Sequence, residues 1–135
     1  MRLILTTLVL TIGLATTGLA GTCKQNFSFI GLPLLSQIEY RTYATVQGVS
    51  VKTAAKRIAA QLRAEGYSAV KTSGGTVTAL QETSGSGRPQ SLRFVAKAAD
   101  GVTRIDAVFT IQQGQIAGER VVRKELCRLI ATAAG

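Results

Sequence analysis

Between residues 37 and 47 apolar and polar side chains alternate. Ile38, Tyr40, Thr42, Ala44 and Val46 fall on one side, and Glu39, Arg41, Tyr43, Thr45 and Gln47 on the other. A period of two is that of a strand with one wetter face. The period then lengthens. Val51, Ala54, Ala55, Ile58, Ala59 and Leu62 recur on a single helical stripe, with Ser50 placed to cap the helix and Gly66 able to take positive φ just past its end. Four short strands are predicted next. Residues 67–72 and 76–82 flank Gly74-Gly75, and residues 91–98 and 102–111 flank Asp100-Gly101, both pairs suited to tight hairpins. Residues 83–90 read as a loop. A second amphipathic helix is predicted over 119–133, with Val122, Leu126, Leu129 and Ala133 inward, Val121 and Ile130 marginal, and Arg120, Lys124 and Arg128 outward.

The Asp100-Gly101 turn also sets a register. With Ala99 opposite Val102, the inward pairs become Ala96 with Ile105, Phe94 with Ala107 and Leu92 with Phe109, large facing small in the way an interdigitated core layer requires. The same register puts Lys97 directly opposite Arg104 on the other face, a like-charge pair that Asp106 is placed to offset diagonally.

The element order β-α-β-β-β-β-α predicts an α+β domain: a mainly antiparallel, curved sheet with two helices packed on one face. This order is similar to that of helix-grip and TATA-binding-protein-like architectures, in which a curved sheet wraps a C-terminal helix. The likeness is one of element order and implies a fold, not an activity.

Ahead of this domain, residues 3–20 form an apolar run opened by Arg2 and closed by Gly18-Leu19-Ala20. That is the pattern of a secretory signal cleaved near Ala20/Gly21. Two rival readings remain: an uncleaved membrane anchor, for which the run is about the minimum length, and lipid modification of Cys23, for which Thr22 is a poor preceding residue. After cleavage no stable transmembrane span is expected. The organisation is then a signal peptide (1–20), an N-terminal connecting segment (21–36) and a single domain (37–135), exported to the periplasm or secreted.

Export changes how the cysteines and the charge are read. Cys23 and Cys127 are the chain's two cysteines, and in an oxidising compartment they are expected to bridge, joining the beginning of the mature chain to its last helix. By helical position Cys127 falls outside the apolar stripe, near Arg123 and Lys124, so the bridge is expected to lie across the helix's outer flank. Removing Arg2 with the leader takes the formal charge from +9 to +8. That balance favours anionic partners such as phospholipid headgroups, acidic polysaccharides or nucleic acid, of which export argues against the last. The residues singled out for an anionic partner are Arg93, Lys97 and Arg104 on the polar sheet face, and Lys52, Lys56 and Arg63 along the first helix.

Catalytic chemistry has little to stand on. With no histidine the commonest general base is missing, the seven carboxylates are scattered singly, and two thiolates do not complete a metal shell. Ser84-Gly85-Ser86-Gly87 lacks the strand–loop–helix setting of a phosphate loop. Tyr40 and Tyr43 fall on opposite faces of one strand and form no stacking platform. No catalytic, metal or cofactor site is therefore expected. The sequence favours a non-catalytic exported domain that binds an envelope component or a protein through its basic sheet face. The alternative is a carrier that holds a small apolar ligand between sheet and C-terminal helix, with Ala96, Ala98 and Ala107 leaving the room.

Overall fold

The computed structural model describes residues 23–81 and 87–135, so the signal segment and the first half of the 83–90 loop lie outside the described residues. A six-stranded sheet carries two helices on one face. Its strands are β1 (Ser28–Ile30), β2 (Ile38–Val46), β3 (Ser68–Ser73), β4 (Thr76–Gln81), β5 (Gln90–Ala99) and β6 (Val102–Ile111). Helix α1 (Val51–Ala64) follows β2, and helix α2 (Glu119–Ala131) follows β6 and tightens into a 3-10 turn at Thr132–Ala134. The order across the sheet is β1-β2-β6-β5-β4-β3, with every neighbouring pair antiparallel. Strands β3 to β6 form a meander, and the α1 connection carries the chain from β2 to the far edge. The α+β class and the curved-sheet plan are as the hydrophobic pattern predicts.

The local chemistry explains the boundaries. Ser50 Oγ accepts the Thr53 N–H at 3.1 Å to open α1. At the other end Gly66, at φ +84°, turns the chain so that its own N–H reaches Arg63 O and the Tyr67 N–H reaches Leu62 O. Those two bonds satisfy carbonyls that a helix end otherwise leaves bare. Asp100 and Gly101 both take positive φ, 49° and 78°, as a two-residue hairpin of this twist requires. The register read from that turn holds at every pair from Leu92–Phe109 to Ala99–Val102.

The core lies between the sheet's inner face and the helices. Phe94, Ile105 and Ile111 from the sheet meet Ile58 and Leu62 of α1 and Leu126, Leu129 and Ile130 of α2, all essentially inaccessible. Helix α1 covers β3, β4 and β5, while α2 covers β2 and β6. Among the described residues, none forms a covering layer on the opposite face of the sheet.

Three expectations are corrected. Ser28–Ile30, inside the segment read as connecting, pairs with residues 39–41 of β2 as an edge strand. Ile130 is fully buried rather than marginal. Cys127 is buried too, and its bridge to Cys23 belongs to the core rather than the helix's outer flank. The physical reason is that residues 23–26 fold back over this side of α2. Thr42 Oγ1 donates to Cys23 O, and Asn26 Nδ2 donates to Tyr43 O at 3.0 Å. A helix face that looks polar on a wheel is thereby covered by the chain's own beginning.

Candidate functional site

The basic residues singled out from sequence divide between two sides of the molecule. Arg93, Lys97 and Arg104 lie together on the open sheet face, whereas Lys52, Lys56 and Arg63 are exposed on α1, on the far side of the sheet. The six do not converge. Within the first group Lys97 does sit opposite Arg104, and Asp106 joins them, 2.9 Å from Arg104 Nη2 and 3.8 Å from Lys97 Nζ. Arg104 also lies over the Tyr43 ring, 3.8 Å from its centre. The Asp106 hydrogen bonds raise the guanidinium pKa above its ordinary value, with burial opposing. Two of the three cations are thus partly satisfied within the protein. Arg93 makes no ion pair among the described residues, and the strand register aligns it with Arg41 and Lys71 in one row across the sheet.

A second feature lies on the inner face, where the start of α2 leaves the sheet. A cleft of about 400 Å³ opens between the ends of β4, β5 and β6 and the first two turns of α2. Leu92, Phe109, Ala117, Val121, Val122 and Leu126 make its walls apolar, and Ile116 stands at its mouth, 80% exposed. Polar groups occupy its margin: Tyr67, Gln81, Gln90 and Glu125. Gln90 is buried as a residue, and its side-chain amide lies at the cleft margin. Lining the cleft, that amide offers it one donor group and one acceptor. Burial, reinforced by the Glu125 and Glu65 carboxylates and opposed by Arg128, raises the Tyr67 phenol pKa, so it too stands as a neutral donor.

The cleft's back wall is fixed by aromatic packing. Phe109 stacks on Tyr40 with ring centres 6.1 Å apart, and Tyr40 in turn stacks on Phe27 at 6.0 Å. The Tyr40 hydroxyl donates to Ala117 O at 3.0 Å and so holds the loop that leads into α2. None of the three alanines expected to leave room does so: Ala96 and Ala107 are tightly buried away from the cleft, and Ala98 is exposed. Space opens instead at the opposite end of β5, because α2 starts only at Glu119 and its first turns do not close onto Leu92 and Phe109.

Among the described residues no three of His, Cys, Asp and Glu come together as metal ligands do, and no helix is long and apolar enough to cross a membrane. No protein-family model matches the chain, and no curated protein is significantly similar to it.

Proposed function

We propose that this chain is a non-catalytic, exported domain that holds a small, uncharged apolar molecule in the cleft between the sheet and α2. The observation that carries the reading is the cleft itself. Its volume falls at the low end of the roughly 300–1,000 Å³ of small-molecule sites, and its few polar groups sit at the rim of an apolar interior, as in such sites. Gln90 and Tyr67 supply neutral hydrogen-bonding partners, and Glu125 disfavours an anionic head. The buried Cys23–Cys127 bridge supports an oxidising compartment and hence export.

Two measurements test this. Native mass spectrometry of the protein recovered from its host should show an apolar adduct. The neutral dye N-phenyl-1-naphthylamine should bind saturably, one per chain, and Ala117→Phe, which puts a ring into the cleft, should weaken binding at least about tenfold. Dye binding that is unsaturable, or unchanged in Ala117→Phe, counts against a carrier.

The row of Arg41, Arg93 and Lys71 supports a second reading, an anionic envelope polymer or acidic protein laid across the open sheet face. Lys97 and Arg104 would then act as a flank already balanced by Asp106. Retention on an anionic polymer at low salt that is unaffected by replacing Arg41, Lys71 and Arg93 with Ser would remove this reading.

A further inference from the structure

The β1–β2 hairpin ends in a turn whose sequence is hard to explain from within the domain. Leu35 N–H donates to Leu32 O at 3.1 Å, with Pro33 and Leu34 between them. Leu34 has φ +68°, the position of a type II turn where glycine is favoured. A leucine there is strained, and its side chain gains little in return, being 54% exposed. The turn is nonetheless well made: Ser36 N–H also reaches Leu32 O at 3.0 Å, and Leu32 N–H donates to Ser36 Oγ at 2.9 Å. Ordered hydrogen bonds therefore hold Leu32, Leu34 and Leu35 outward, the last 72% exposed, with Ile30 beside them on the edge strand.

The loop before α2 leaves the sheet at the same end, since Ile38 at the start of β2 pairs with Ile111 at the end of β6. It adds Ile116, more exposed still. Arginines accompany these apolar residues. Arg88 holds the Gln113 carbonyl at 2.8 Å, Arg120 is exposed in the first turn of α2, and Arg123 one turn on is half-buried over the Phe27 ring. Glu119 offsets Arg123 across 2.8 Å. Arg120 has no ion pair among the described residues and stands at a helix N-terminus, where the backbone dipole disfavours a cation. A leucine at a glycine position and an arginine at the wrong helix end are both costs to the fold.

We propose that this apolar tip, Ile30 with Leu32, Leu34, Leu35 and Ile116, docks into the surface of an anionic lipid bilayer. Apolar side chains on a firm turn enter the headgroup region, and nearby arginines meet the negative surface. A second copy of the chain is the poorer occupant, because it would bring one body of formal charge +9 against another. The proposal does not rest on the cleft: a chain with an empty cleft would dock as well.

The chain contains no tryptophan, so a single Leu35→Trp substitution in the full chain reports on the tip alone, whatever residues 1–20 do. With vesicles containing anionic lipid and brominated acyl chains, its emission should shift to the blue and be quenched. Ser73→Trp, at the opposite end of the sheet, should do neither. Ile30→Trp, outside the cleft, provides a second tip reporter should Leu35→Trp fold poorly. In the Leu35→Trp background, changing Leu32 and Leu34 to Ser should weaken partitioning at least about tenfold. Arg120→Ser should weaken it about fivefold on anionic vesicles and leave the fold intact. Tip emission that brominated lipid leaves unquenched would overturn the proposal. So would a blue shift that depends on protein concentration without vesicles, which would assign the tip to contact between copies.

Discussion

Reducing the Cys23–Cys127 bridge should remove a large part of this domain's stability. The bonded residues are 104 apart in sequence, and closing a loop of about 100 residues stabilises a fold by about 4.7 kcal/mol in the chain-entropy account. Against the ~5–15 kcal/mol typical of a whole domain, that is between a third and nearly all of it. A melting temperature lowered by on the order of 20 °C follows for a domain of this size. The assay is thermal unfolding followed by circular dichroism for the oxidised chain, the same chain in dithiothreitol, and Cys127→Ala. The reduced wild type is the critical sample, since it keeps both sulfurs in the core beside Thr42 and isolates the covalent link from the packing. Melting points within about 3 °C of one another would refute the reasoning. They would mean that the Thr42 and Asn26 hydrogen bonds already hold residues 23–26 in place, and the bridge would then no longer support an oxidising compartment.

A Cβ added at Gly75 would lie 2.1 Å from Ala96 O, so Gly75→Ala should destabilise by about 2–3 kcal/mol in urea unfolding through forced backbone movement; a change below about 0.5 kcal/mol would show that β4 and β5 approach less closely. The Tyr40 and Tyr67 phenols have pKa values raised above the ordinary 10.0, chiefly by burial, with the Glu119 carboxylate adding to it for Tyr40. Folding therefore favours their protonated forms. That contribution is fully present below pH 10 and is lost as pH climbs through the raised values. Tyr40→Phe should shrink this alkaline loss and, by leaving Ala117 O unpaired, cost about 1 kcal/mol at neutral pH. On the acid side Arg128 hydrogen bonds hold the Glu65 carboxyl below its ordinary value, with desolvation opposing. Its stabilisation is present above the ordinary carboxylate value and disappears as pH falls through the lowered one. Because the pair is solvent-accessible, Glu65→Gln should change stability at pH 7 by no more than ~1 kcal/mol and flatten the acid limb of a pH–stability curve.

Most of the fold was legible because long periodic segments have one way to bury their apolar face. The stripe from Ala54 to Leu62 and the alternation from Ile38 to Val46 each name a buried side. The Asp100-Gly101 turn then fixes which residues of β5 and β6 face each other, including the Lys97–Arg104 clash and its Asp106 partner. Two readings failed for one reason. Periodicity assigns a residue's direction within its own element, and it says nothing of what another segment lays over that direction. Cys127 points off the apolar stripe of α2, and residues 23–26 cover it; Ser28–Ile30 are too few to show a period, and β2 recruits them to its edge.

The candidate sites were harder to read, for reasons that differ. The cleft is made of residues that do obey their periods. Leu92 and Phe109 were expected as a packed cross-strand pair, and they are one. What opens beside them depends on where α2 begins relative to the strand ends, a rigid-body placement that no local pattern encodes. The tip, by contrast, left a mark in the sequence. Leu32, Leu34 and Leu35 follow neither the strand nor the helix period, and Pro33 among them signals a turn. Apolar residues in a turn have no shared face to bury, and no partner layer among the described residues receives these. An apolar cluster that no period explains and no described residue covers is what the docking proposal rests on, and it is why the tip, rather than the better-patterned basic face, was singled out for it.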